Sequence, residues 1–163
     1  MPVDRQLYRD AMARLGAAVN VVTTANESGR HGFTASAVCS VTDDPATLLV
    51  CMNRGSRSRE HFRLGGPLCV NVLATHQRPV SEAFATLDLM SERFEAGAWT
   101  TLDTGAPVLD GAIAAFDCVI SEVSEVGTHS VLFCTVQAVR LGDSAGGLIY
   151  FGRDYHALPH AAA

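Results

Sequence analysis

The chain has 163 residues, a length typical of a single domain with one hydrophobic core. Apolar residues make up 48% of it and charged residues 18%, and a formal net charge of −5 without a basic run argues against a nucleic-acid-binding protein. No apolar run reaches the roughly 18 residues of a membrane span, and the N-terminus lacks the apolar segment of a signal peptide. We therefore expect one domain over residues 1–163, with its ordered core at about 4–156, no membrane segment, and an apolar surface covered by another subunit.

The first half of the chain is predicted to contain one helix followed mainly by strands. Asp4 is a candidate N-cap of a helix that extends to about Leu15, with its apolar side chains on one face. Strands are predicted over residues 19–25, 31–38, 47–53 and 67–73. The first two should form a hairpin around a turn at residues 26–30. Short helices are predicted over residues 57–64, 79–85 and 91–94.

The second half is dominated by two long apolar segments, over residues 112–126 and 130–141. Only Gly127-Thr128-His129 separates them, so they should pair as antiparallel strands. A last short strand is predicted over residues 148–151, with a frayed tail over 157–163. Because no regular βαβ unit is present, the pattern favours a mainly β fold, in which an antiparallel barrel closes wholly or in part.

The five cysteines are odd in number and stand in apolar segments without a CxxC spacing. This pattern is typical of buried free thiols in a reducing compartment, which indicates a cytoplasmic protein. A zinc site would need clustered Cys and His ligands, so no metal is expected.

Two neighbouring segments are candidates for a binding site. Residues 32–40 (GFTASAVCS) carry small side chains and hydroxyls, which let a flat ring approach the backbone, although tight strand packing explains them equally well. Residues 51–59 (CMNRGSRSR) lead from a strand into a presumed helix and could hold a phosphate through hydroxyls, arginines and free backbone N–H groups. A solvated loop with a Ser cap is the alternative, and neither GxGxxG nor a P-loop is present.

Two later segments could hold a second ligand. His129 follows the turn between the two longest strands and could orient an amide or a phosphate, although a lone surface histidine is the simpler interpretation. The segment Tyr150 to His156 combines aromatic rings with Arg153 and could take a stacked nicotinamide or adenine. A core-sealing C-terminal strand is the alternative. No GxSxG elbow or catalytic triad can be placed.

The chain resembles the flavin reductase-like family in four segments that occur in order: GFTASAVCSVTDDPATLLVCMNRGSRS, LCVNVLA, GTH and GLIYFGRDYH. The likeness extends from about residue 8 to residue 156. It points to the reductase components of two-component flavin-dependent monooxygenases, of the 4-hydroxyphenylacetate monooxygenase or the pyrimidine-utilisation type. It implies an FMN-binding split barrel, an antiparallel Greek-key barrel with short flanking helices, in a homodimer. It also implies that NADH or NADPH reduces FMN or FAD, and that the reduced flavin reaches a partner monooxygenase by diffusion.

The resemblance also assigns roles to individual residues. It implies that the isoalloxazine and ribityl parts of the flavin are contacted by Thr34, Ala35, Ser36, Ala37 and Val38, and that Cys51, Met52, Asn53 and Arg54 lie beside the flavin. It implies that the flavin phosphate is bound by Ser56, Arg57 and Ser58. It also implies that the nicotinamide is placed by His129 and flanked by Tyr150 and Arg153. Many relatives have Asp where this chain has Thr128, so a role for that acid is not expected here.

The implied chemistry needs no acid–base pair, because the hydride passes between the cofactors and the protein positions their rings. His129 is therefore expected to act as a positioning residue, and no side chain as an essential acid or base. Two alternatives stay open: a non-enzymatic flavin- or haem-binding module on the same barrel, and a structural or regulatory barrel without a ligand.

Overall fold

The computed structural model describes residues 1–143 and 146–159. The helices are α1 (Arg5–Met12), α2 (Arg78–Thr86) and α3 (Met90–Glu95), with 3₁₀ turns at Arg59–His61 and Thr75–Gln77. The strands are β1 (Ala17–Ala18), β2 (Asn20–Asn26), β3 (Gly29–Ala35), β4 (Val38–Asp43), β5 (Ala46–Asn53), β6 (Pro67–Val72), β7 (Trp99–Thr101), β8 (Pro107–Leu109), β9 (Ala114–Val126), β10 (His129–Leu141), β11 (Gly146–Phe151) and β12 (Asp154–Pro159). The predicted mainly β fold with short flanking helices is confirmed.

Seven strands form one antiparallel sheet in the order β3-β2-β6-β9-β10-β5-β4. Side chains from opposite ends of this sheet, such as Val22 on β2 and Met52 on β5, lie in one buried cluster together with Leu68 and Ile120 from the central strands. The sheet must therefore curl around its own core, which leaves it open between the edge strands β3 and β4. Smaller sheets, β1-β11-β12 and β7-β8, flank this barrel.

The two long strands β9 and β10 form the centre of the barrel. They pair in antiparallel register across the turn at Gly127, as predicted, and each also pairs with an outer strand, β6 or β5. Gly127 has φ of 55°, a conformation that glycine adopts without strain. His129 is the first residue of β10 and lies opposite Asn53, the last residue of β5, so the predicted turn residue is part of the ladder.

Three predicted elements differ from the structure by more than two residues at a boundary. The helix begins at the Asp4 cap, whose carboxylate accepts a hydrogen bond of 2.8 Å from the Leu7 N–H, but it ends at Met12. The strand predicted over 31–38 ends at Ala35, because the chain turns there to cross from one sheet edge to the other. The helix predicted over 57–64 is a single 3₁₀ turn.

The C-terminal prediction was also partly wrong. Residues 157–159 belong to β12, which pairs with β11 over its whole length, so they are ordered by a ladder. Residues 160–163 of the predicted frayed tail lie outside the described residues. Among the described residues, no helix combines the length and apolar character that crossing a membrane requires.

The cysteines are free thiols throughout the described chain, but they are not equally buried. Cys69, Cys118 and Cys134 are fully inside the protein, and burial raises the pKa of Cys134 to about 12. Cys39 is exposed and Cys51 is half-buried, so the prediction of buried thiols was wrong for Cys39. Both lie beside the open side of the barrel, where its core ends.

Candidate functional site

The main cleft is a cavity of about 560 Å³ at the open side of the barrel. One wall is formed by the end of β3 and the crossing to β4, the floor by β5 and β10, and the other wall by α2 and the segment that follows it. Its volume lies in the range of small-molecule and cofactor sites. Nine of the predicted site residues line it together: Thr34, Ala35, Ser36, Ala37, Cys51, Asn53, Ser56, Arg57 and His129.

The wall from β3 is made of small residues, which keeps the cleft open. Ser36 and Ala37 are exposed where the chain leaves the sheet, and the Ala37 carbonyl accepts a bond of 3.0 Å from the Cys51 N–H. The Thr34 hydroxyl donates to the Ser81 carbonyl at 2.6 Å and so ties β3 to α2. A flat ring can therefore lie close to the backbone here without displacing large side chains.

Gly32 brings α2 close to β3 at the base of this wall. A Cβ at position 32 would lie 2.8 Å from Cε1 of Phe84 and 2.9 Å from the Val22 carbonyl oxygen. No other residue fits without a shift of the helix or strand. The absence of a side chain at Gly32 thus sets the distance between the two walls of the cleft.

The loop after β5 presents hydroxyl, amide and guanidinium groups to one end of the cleft. The Asn53 carboxamide accepts from the Gly55 N–H at 2.8 Å, and the Ser56 hydroxyl accepts from the Ser58 N–H at 3.3 Å. Because only a 3₁₀ turn follows, the dipole of a longer helix cannot attract an anion here. Attraction must come from Arg57, which is exposed and pairs with Asp88 at 3.0 Å.

His129 faces the cleft from its floor. Its place is set by the β10–β5 ladder and by a bond of 2.9 Å between the Arg54 N–H and the Thr128 carbonyl. Its Nδ1 lies 2.9 Å from the Thr128 hydroxyl. Thr128 thus orients the imidazole through its hydroxyl.

The wall formed by α2, α3 and their connection was missed by the sequence reasoning. It adds the lining residues Phe84, Ala85, Thr86, Asp88 and Arg93, and Phe33 on β3 is a further lining residue that was not predicted. Arg93 donates to the Leu87 carbonyl at 2.7 Å and to the Gly32 carbonyl at 2.9 Å, which holds the connection against β3. Burial, with the nearby Arg57 charge, lowers the pKa of Arg93.

Six predicted site residues lie outside the main cleft. Met52 is buried in the barrel core, and Ser58 is also buried and donates to the Gly32 carbonyl at 3.3 Å. Arg54 forms an ion pair of 3.4 Å with Glu125. The other three line neighbouring cavities: Val38, Tyr150 and Arg153.

Cys51 brings a thiol to the floor of the cleft. Burial raises its pKa, and the nearby Cys39 adds to that shift. The thiol is therefore neutral and contributes a small apolar surface to the ring site.

A split antiparallel barrel whose open side carries a small-residue wall, a polar loop and a positioned histidine defines a class of proteins that bind a planar, anionic cofactor. The model of the flavin reductase-like domain matches residues 12–159. The chain belongs to this family, and the predicted split-barrel fold is confirmed.

Relatives and solved structures agree with this assignment. The FMN reductase (NADH) RutF of Stutzerimonas stutzeri is 56% identical over 157 residues, covering 96% of this chain and 90% of the relative. The crystal structure of a Haemophilus somnus protein is 47% identical with a TM-score of 0.92, covering 96% of this chain and all of the other. BorF, the flavin reductase component of a two-component tryptophan halogenase, is 27% identical with a TM-score of 0.88, covering 97% and 100%.

Proposed function

We propose that the chain is an NADH-dependent FMN reductase that acts as one domain. The observation that carries the proposal is the main cleft, in which nine residues assigned to flavin and nicotinamide contacts meet in one cavity. FMN reductases that use NADH stand at 51–56% identity over nearly the whole chain. These relatives favour the pyrimidine-utilisation type over the 4-hydroxyphenylacetate type, and an enzyme over a non-enzymatic binding module.

The cleft suits a flavin at each of its parts. Phe84 and the small residues Ala35 and Ala37 offer an apolar slot for a flat ring, while Ser56 and Arg57 offer hydrogen bonds and positive charge to a phosphate. When bound, the flavin accepts the hydride that a reduced nicotinamide carries. This chain's residues hold the two rings in contact, and His129 orients the nicotinamide side.

Ser58, Met52 and Arg54 support this site indirectly. The Ser58 hydroxyl fixes the Gly32 carbonyl, Met52 fills the core below the cleft, and Arg54 anchors the loop to β9 through Glu125. Ser56 and Arg57 are then the residues of this loop that reach the phosphate.

A partner monooxygenase component receives the reduced flavin in this proposal. BorF serves a two-component halogenase, which makes separate reductase and oxygenase components a known arrangement among structural neighbours. The mouth of the cleft is lined by exposed ion-paired side chains, Arg57 and Asp88, so that a flavin can leave as well as enter. The free thiols suit the cytoplasm.

A homodimer forms across the apolar face of α1. Against the residues that the structure describes, α1 buries none of its side chains, and Leu7, Tyr8, Met12 and Leu15 are all exposed. A mostly apolar groove of about 810 Å³ lies beside it, between α1, β4 and β5. A second copy of this chain would cover α1 and the apolar part of the groove, and would leave Tyr150 and Arg153 open to the neighbouring cavity that they also line.

The test is to add FMN and NADH to the pure protein and to follow nicotinamide absorbance. We expect NADH to be oxidised much faster with the protein and FMN together than with FMN alone. Ser56→Ala should raise the KM for FMN, and His129→Ala should mainly change the kinetic constants for NADH. Where a charge-assisted bond is lost, each change should correspond to a free energy of about 1–3 kcal/mol. No turnover with either flavin and either nicotinamide would refute the proposal.

A further inference from the structure

A second cavity, of about 350 Å³, opens beside the main cleft and shares Thr34, Ser36 and Ala85 with it. Its polar and aromatic lining residues are Arg78, Ser81, Tyr150, Arg153, Asp154 and Tyr155. We propose that this second cavity binds the adenosine diphosphate portion of a dinucleotide whose reactive ring lies in the main cleft. The inference rests on the proposed function, which requires at least one dinucleotide.

Two guanidinium groups can hold a diphosphate there. Arg78 pairs with Glu82 at 2.8 Å and Arg153 with Asp10 at 2.6 Å, and each of these four side chains is about half exposed. Exposed ion pairs contribute little to stability, so either arginine can exchange its carboxylate for a phosphate at low cost. Arginine offers a phosphate two parallel N–H donors, which a lysine cannot.

Aromatic rings next to these arginines can stack with an adenine. The Tyr150 and Tyr155 rings are 5.4 Å apart and inclined by 67°. Tyr155 is held by its hydroxyl, 2.8 Å from the Ser81 hydroxyl, and by the Arg78 guanidinium 4.6 Å from its ring centre. Tyr150 is exposed and offers the free aromatic surface.

The backbone at Arg153 supplies independent support. Gly152 and Arg153 both have φ of 61° in the turn between β11 and β12, a conformation that favours Gly or Asn at both positions. Arg153 is strained there, whereas a glycine would not be. A strained non-glycine residue beside a cavity points to a function of its side chain.

This location refines the nicotinamide assignment of Tyr150 and Arg153. Neither lines the main cleft with His129, and both line the adjoining cavity instead. Their cavity adjoins the main cleft, as a subsite for the far half of a dinucleotide must. The adenosine diphosphate can belong to NADH or to FAD, and these sources are distinguished by kinetics.

The first test measures ADP binding by titration calorimetry, which requires no turnover. Wild type should bind ADP, and Arg153→Gly should weaken that binding by about tenfold, the loss expected for one charge-assisted contact. Because glycine relieves the turn, this variant should melt no more than about 2 °C below wild type. Unchanged ADP affinity in Arg153→Gly, or no ADP binding to wild type, would overturn the inference.

The second test compares intact and truncated substrates in Arg78→Met, with Arg63→Met as the matched control. Arg63 is an exposed arginine whose Nε donates to the Glu60 carbonyl of the neighbouring turn at 2.6 Å. If the cavity takes the ADP half of NADH, Arg78→Met raises the KM for NADH by about tenfold and leaves that for reduced nicotinamide mononucleotide unchanged. If it takes that of FAD, the KM for FAD rises and that for FMN does not.

Equal effects on the intact and the truncated substrates, or none on any of them, would reject an adenosine diphosphate site. An enzyme that oxidises no NADH in any variant would instead refute the reductase proposal. The ADP titration would still decide the binding site in that case.

Discussion

The main cleft and the apolar groove beside α1 are neighbouring depressions with opposite construction. The cleft is walled by residues that hold one another in place, such as Arg93 on the Gly32 carbonyl and Thr34 on α2. The groove is walled by α1 and the residues that follow it, and Met12 and Leu15 there are exposed. The walls of the cleft described above thus come from one chain, whereas in the proposed dimer a second chain would cover the groove.

The largest expected effect tests the groove. Met12→Arg places a charge in the middle of the proposed subunit interface, where its desolvation is unfavourable, and should raise the dimer dissociation constant at least about 100-fold, or ~3 kcal/mol. Gln6→Arg adds the same charge to α1 at a residue outside the groove lining and should leave the dimer intact. Sedimentation equilibrium measures both, and a wild type that is monomeric at micromolar concentration would remove the comparison.

The next effect tests how tightly the cleft is built. Gly32→Ala puts a Cβ 2.8 Å from Phe84 and should destabilise the fold by about 1–3 kcal/mol, because α2 must move away from β3. The control is Gly16→Ala beside the groove, where the nearest atom to the new Cβ is 3.8 Å away. Urea unfolding should separate the two variants, and equal midpoints would show that the cleft is as loosely walled as the groove.

A smaller effect concerns the mouth of the cleft. Asp88 competes with a phosphate for Arg57, so Asp88→Asn should lower the KM for FMN about two- to fivefold, in keeping with the weakness of exposed ion pairs. The gain should shrink at high salt. Glu122→Gln, an exposed carboxylate on β9, removes the same charge elsewhere and should leave the KM unchanged. A higher KM in Asp88→Asn would mean that Asp88 positions Arg57.

Local patterns in the sequence were enough to predict most strands and one side of the cleft. The long apolar segments around Gly127 and the small residues after Gly32 are signals within a few positions of one another. The opposite wall was not predictable in this way, because Arg93 reaches the Gly32 carbonyl across 61 residues of chain. Such a contact depends on how α2 packs on β3, which no local pattern encodes.

The predicted strand boundaries were wrong at two places for a related reason. Residues 31–38 look like one strand, but the two edges of the open barrel lie on either side of Ser36, and the chain must leave one to reach the other. Residues 157–159 lack a strong strand signal and are extended because β11 pairs with them. In both places the sheet, and not the local sequence, decides the conformation.

The smallest expected effect is a difference in acid sensitivity between β3, in the cleft wall, and the groove. His31, on β3, stacks on His61 with ring centres 3.3 Å apart, and burial together with the His61 charge lowers its pKa from 6.5, against the opposing charge of Glu60. The folded protein therefore binds a proton at His31 less readily than the unfolded chain. The stabilisation is complete above the unfolded pKa and is lost as pH falls from about 6.5 through the lower folded value.

Histidine is absent among the described residues that line the groove, so acid should destabilise the fold before it dissociates the proposed dimer. His31→Gln should reduce the fall in melting temperature between pH 7 and pH 5 by on the order of 2 °C, while a dimer that dissociates at pH 5 with β3 intact would place the sensitive group in the groove instead.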